Sequence, residues 1–134
     1  MRINKFGLLA FTLAISSCFQ QPGSVDERIL KSEGLSRVDK LCQSLGKPDD
    51  FRYVSKDIGG NNHTYSVGYS YKGKSDLSSV RSFYVKWFAA NGWEIDQNYS
   101  AEGFFAYRKA KQLIFIEQGG SAAANYVIQC EEEH

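Results

Sequence analysis

The chain has 134 residues, of which 43% are hydrophobic and 23% charged, with a formal net charge of +1 at pH 7. That length holds one domain rather than two, and it excludes a TIM barrel or a complete dinucleotide-binding enzyme. A charge so close to zero argues against a dedicated polyanion binder, so no nucleic-acid partner is expected. Three cysteines, two histidines and one methionine offer little material for a metal centre.

The N-terminus has three parts. Met1 to Lys5 supply two basic residues, Phe6 to Ile15 form a ten-residue, largely apolar run, and Ser16-Ser17-Cys18 close it with small residues. This is the anatomy of a secretory signal. The apolar run is too short to span a bilayer, which takes about 20 residues. Ile15-Ser16-Ser17-Cys18 resembles the lipobox of bacterial lipoproteins, an aliphatic residue and two small ones before cysteine. The resemblance implies that residues 1–17 are removed and that Cys18 carries lipid on its sulfur and its amino group. Several acyl chains anchor firmly where a single chain binds only marginally. The two serines depart from the more usual Ala-Gly, and cleavage by ordinary signal peptidase after Ser16 or Ser17 is the alternative. Phe19 stands where an aspartate would imply retention in the inner membrane, so the resemblance points to the outer membrane, with the domain facing the periplasm. Loss of Arg2 and Lys5 from the 16 basic residues leaves 14 against 15 acidic ones, a mature net charge of −1.

With Cys18 assigned to lipid, Cys42 and Cys130 remain. In an exported small domain they most simply form one disulfide; two separate buried thiols are the alternative. Neither lies beside a histidine or in a CxxC pattern that would lower a thiol pKa, so neither is expected to be catalytic.

Residues 18–34, dominated at their start by Gln, Pro, Gly and Ser, read as a lipidated tether in which Asp26 to Lys31 could form a short helical turn with only a thin apolar face. Residues 35–134 read as a single α+β domain. Its first element is a short amphipathic helix over Ser36 to Leu45, with Val38, Leu41, Cys42 and Leu45 on one face, Ser36 and Asp39 as a capping pair, and Gly46 and Pro48 as the stop. Phe51 to Lys56 read as a short strand, followed by a Gly59–Asn62 loop. Tyr65, Val67, Tyr69 and Tyr71 alternate with Ser66, Gly68, Ser70 and Lys72, the pattern of a strand with one packed and one wet face.

The main helix starts at Ser75 or Asp76. Leu77, Val80, Phe83/Tyr84 and Trp87/Phe88 form its apolar stripe, and Gly92 closes it. Four short apolar runs follow, Trp93–Asp96, Phe104–Arg108, Leu113–Glu117 and Tyr126–Cys130, with connectors that suit antiparallel hairpins. The expected architecture is one mainly antiparallel sheet packed by one main helix, plus the short N-terminal helix. Glu131-Glu132-Glu133-His134 read as a solvated, frayed tail. Phe83-Tyr84, Asn91-Gly92-Trp93 and Phe105-Ala106-Tyr107-Arg108-Lys109 are loosely similar to segments of small bacterial lipoproteins, a likeness that implies no activity.

No catalytic motif emerges. His63 and His134 are far apart in sequence, and no HExxH, GxSxG, phosphate-loop or dinucleotide pattern is present. No metal or cofactor is expected. The reading is a non-enzymatic, membrane-anchored domain that binds a protein partner in the envelope, such as an immunity protein or an accessory subunit of an envelope complex. Its candidate binding residues are Asn61, Asn62, His63 and Tyr99, in the loops Gly59–His63 and Asn98–Gly103, with Gly119–Asn125 as a third loop. Two alternatives stand beside it. One is a binder of sugar or peptidoglycan fragments through aromatics, although the Tyr65, Tyr69 and Tyr71 face suits core packing better. The other is a small hydrolase using His63 and a carboxylate.

Overall fold

A computed structural model describes residues 27–119 and 123–134. The signal, the lipobox with Cys18, residues 18–26 of the tether and residues 120–122 lie outside the described residues. The elements in chain order are α1 (Glu27–Leu30), α2 (Glu33–Ser44), β1 (Arg52–Asn61), β2 (Thr64–Lys72), α3 (Leu77–Ala90), β3 (Glu94–Ile95), β4 (Phe104–Lys109), β5 (Gln112–Gln118) and β6 (Tyr126–Glu133). The strands form one six-stranded sheet in the order β1-β2-β6-β5-β4-β3, and every pairing is antiparallel.

Helix α2 begins earlier than its apolar spacing indicates. Ser32, not Ser36, is the N-cap, and its hydroxyl accepts the Leu35 N–H at 3.2 Å. Ile29 of α1 and Gly34 are buried, so residues 27–34, expected as tether, instead hold a short helix and the first residues of α2 and pack onto the domain. The physical reason is Gly34. A Cβ at this position would fall inside the Tyr65 ring, and the missing side chain lets the helix backbone settle on β2. The expected face survives the shift, with Val38, Cys42 and Leu45 all buried.

Helix α3 matches its pattern. Asp76 caps it by accepting the Ser79 N–H at 2.9 Å. Val80, Tyr84 and Phe88 form the fully buried ridge. At the C-terminus Phe88 O accepts from both Asn91 N and Trp93 N, and Gly92 takes the left-handed φ of +78° that this turn needs. Phe88 lies flat on Tyr107 of β4, with centroids 3.9 Å apart.

Both helices sit on one face of the sheet. Residues Val67, Tyr69 and Tyr71 of β2 line up with Cys130, Ile128 and Tyr126 of β6, and Ile114 and Ile116 of β5 continue the rows. All eight are buried. Helix α2 is comparable in length to α3 and packs on β2 and β6, so the inner layer is built by two helices rather than by one main helix. Cys42 of α2 and Cys130 of β6 are joined by a disulfide with Cα atoms 5.8 Å apart. It ties the first long helix to the middle of the sheet.

Two expectations about segments change. Strand β1 extends to Asn61, because Gly59 and Gly60 pair with Ser66 and Tyr65 and leave only a tight turn at Asn62–His63. The run Glu131–Glu133 is not a frayed tail. It continues β6, held between Thr64–Ser66 on one side and Gln112–Leu113 on the other. His134 stacks on Tyr65 at 4.2 Å, and its N–H donates to His63 O. Charge alone made that segment look solvated, whereas two flanking ladders satisfy its backbone.

Candidate functional site

The sheet separates the candidate binding residues. Asn61, Asn62 and His63 form the β1–β2 turn, at the same end as the β4–β5 turn and the end of β6. Tyr99, Gly119 and Asn125 lie toward the opposite end, where Gln118 N donates to Gly103 O and Gly119 N to Asn125 O. They do not form one site. Asn61 has a local role, its Oδ1 accepting from His63 N at 2.7 Å and from Thr64 N at 3.1 Å. His63 is exposed, and among the described residues no carboxylate pairs with its ring. Asn125 binds backbone too, bridging both the N–H and the carbonyl of Gly73. Tyr65, Tyr69 and Tyr71 belong to the helix-covered face, with Tyr69 and Tyr71 buried.

The residues 96–103 form a shaped wall rather than a loose loop. Asp96 accepts the Asn98 N–H at 3.0 Å through one carboxylate oxygen and Arg108 Nε at 3.1 Å through the other. Ser100 Oγ donates to Asp96 O and accepts from Ala106 N. Tyr99 stands out from this wall, 51% exposed, with its ring edge-on to Phe115 at 6.0 Å.

Between this wall and α3 runs an open apolar groove of about 510 Å³. Phe105 and Tyr107 of β4 form its floor, Val85 of α3 one side, and Ile95 of β3 with Glu102 the other. Val85 is 49% exposed and Ile95 47%, so two of the four large apolar side chains that stand exposed among the described residues face one groove. The Arg81 guanidinium lies over the Phe105 ring at 5.4 Å. No carboxylate pairs with it among the described residues. Burial pushes the Tyr107 hydroxyl pKa up, and Arg81 pulls it partly back. Position Ile95 also lies on β3, the short strand at the sheet edge.

Chain position gives little warning of this groove. Arg81 reads as part of the solvated face of α3, and Val85 sits between the Tyr84 stripe and Lys86. The available signal is Val85 itself, an apolar residue placed off the apolar stripe of its helix.

A second polar cluster lies under α2. Asp39 accepts from the Tyr69 hydroxyl at 2.5 Å and from Gln43 Nε2 at 2.8 Å, and Lys56 Nζ stands 3.6 Å away. Burial pushes the Tyr69 hydroxyl pKa up, and its bond to Asp39 adds to the shift. The cluster joins α2 to β1 and β2. Among the described residues no group of three or more His, Cys, Asp or Glu side chains is placed to hold a metal ion. None of the described helices is long and apolar enough to cross a membrane. Comparison of the chain with protein-family models, with curated proteins and with solved structures gives no match in any of the three.

Proposed function

We propose that this chain is a non-catalytic, lipid-anchored domain facing the periplasm, and that it binds a protein partner of the envelope in the manner of an immunity protein or an accessory subunit. The observation that carries the reading is the groove between α3 and β3. Val85 and Ile95 are kept half exposed beside a floor of Phe105 and Tyr107, a concentration of apolar surface that a solitary domain gains nothing by leaving open. Arg81 defines the occupant. It favours a partner segment with apolar side chains followed by a carboxylate, which would pair with the guanidinium above Phe105. The bonded 96–103 wall supports the reading, because a preorganised rim needs little ordering on binding.

Two experiments test this reading. Affinity capture from detergent-solubilised membranes should recover a stoichiometric partner with the wild-type chain. The exposed-site variant Val85→Asp/Ile95→Asp should lose that partner while melting as wild type does, since surface changes usually stay within about 0.5 kcal/mol. Equal recovery by the variant overturns the groove assignment. Anchoring is tested separately. Labelled fatty acid should enter the wild type and not Cys18→Ala, and equal labelling refutes the lipidation.

A further inference from the structure

The sheet face turned away from α2 and α3 carries a second surface that shares no lining residue with the docking groove. On β2 the positions on this face are Ser66, Gly68 and Ser70, of which Gly68 and Ser70 are half-buried and Ser66 is buried, and they alternate with Val67, Tyr69 and Tyr71 of the core. The pairing register lays one row straight across the sheet: Asp57 of β1, Gly68 of β2, Gln129 of β6, Phe115 of β5 and Ala106 of β4. Gly59 and Gly68 leave the floor bare, since a Cβ at either position would meet nothing within 4 Å. The result is a trough of about 350 Å³ over β1, β2 and β6 and a smaller hollow of about 150 Å³ over β6, β5 and β4. Val127, Gln129 and Glu131 line both, so the two form one channel across five strands, about 19 Å at ordinary strand spacing.

We propose that this channel binds a neutral oligosaccharide lying across the strands. Its chemistry alternates as such a ligand requires. The Asp57 carboxylate, the serine hydroxyls and the Gln129 amide offer acceptors and donors for sugar hydroxyls. Phe115 is stacked with Phe104 at 5.5 Å and buttressed edge-on by Tyr99, making an aromatic shelf for the C–H face of a sugar ring. The Gln129 amide donates to Glu131 at 2.7 Å, which fixes both groups before any ligand arrives. Asp57, Glu117 and Glu131 line the channel and, among the described residues, no lysine or arginine does, so an anionic polymer is repelled. The glycines have a purpose in this arrangement, because a strand interior gains stability from a side chain and gives it up where another chain must approach closely.

The test is calorimetric and spectroscopic titration of the full mature domain with two neutral probes, the tetramer of N-acetylglucosamine and cellotetraose. At least one should bind saturably, with amide shifts concentrated at Gln129 and Phe115. Gly68→Tyr fills the channel at a position with open space and ordinary strand backbone, so it should fold as wild type and bind about tenfold or more weakly. Val85→Asp, in the separate groove, should leave the sugar titration unchanged. No saturable response to either tetramer at millimolar concentration overturns the proposal, as does binding that Gly68→Tyr leaves intact. Displacement of the shifts by tetralysine but not by either sugar also overturns it, in favour of a cationic peptide.

Discussion

Tyr84 is wholly buried in the ridge of α3, and its hydroxyl has no hydrogen-bond partner among the described residues. A buried hydroxyl without a partner costs about 1–3 kcal/mol by mutational measures. Tyr84→Phe removes the hydroxyl and keeps the ring, which packs against Phe83 and Phe88 at 5.0 and 5.8 Å. The variant is therefore expected to be more stable than the wild type by about 1.5 kcal/mol, less a few tenths for lost dispersion. At an unfolding entropy of about 2.1 cal/mol/K per residue, a domain of about 100 residues should melt about 6 °C higher. Thermal and urea unfolding followed by circular dichroism measure the difference. The pH dependence gives a second check. Burial pushes the Tyr84 hydroxyl pKa above the ordinary tyrosine value, so the unfolded chain loses that proton first. Stability is then full below about pH 10 and falls as pH rises beyond it, and the variant should fall less steeply. A Tyr84→Phe protein less stable than wild type by 0.5 kcal/mol or more, on the order of one net hydrogen bond, would refute the reasoning by revealing a partner for the hydroxyl.

Removing the staple should be costly. The Cys42–Cys130 bridge spans a sequence separation of 88, for which the chain-entropy model gives about 4.6 kcal/mol, so Cys42→Ser/Cys130→Ser should show a urea midpoint far below that of the oxidised wild type. A midpoint unchanged by the double substitution would count against the bridge as a stabiliser. Gly34→Ala drives a methyl into the Tyr65 ring and should cost about 1–3 kcal/mol, with a shift in the His134 ring resonances that report the Tyr65 stack. At the acid limb, hydrogen bonds from Arg37, from the Ser75 backbone and from the Ser79 backbone hold the Glu132, Asp50 and Asp76 carboxyls below the usual range. Their stabilisation is present above the ordinary carboxylate values and is lost as pH falls below about 4, because the unfolded chain takes up protons first. Glu132→Gln should flatten that slope, measured as urea midpoint against pH.

Local pattern carried a good part of the fold. The period of α3, its Asp76 cap and its Gly92 stop are set by neighbours within a few residues, and so is the alternation of β2. Cys42 and Cys130 could be paired from the sequence only on the expectation that the domain is exported and Cys18 is taken by lipid, and the disulfide itself is seen in the structure. Other features depended on contacts between residues distant in the chain. The close seating of the first turn of α2 depends on Gly34 fitting beneath Tyr65, and the order of Glu131–Glu133 on two neighbouring strands. Asp39, expected as a cap, instead turns inward to Tyr69.

The same division runs through the candidate sites. By itself the sequence determined the α+β class and the faces of α3 and β2, because these rest on periods of two and 3.6 residues. It could not set Val85 beside Ile95 or place Asp57 and Phe115 in one row across the sheet, since the groove needs α3 packed against β4 and the row needs β2 and β6 paired. A binding surface is a property of which face is left uncovered, and that is decided when the core closes.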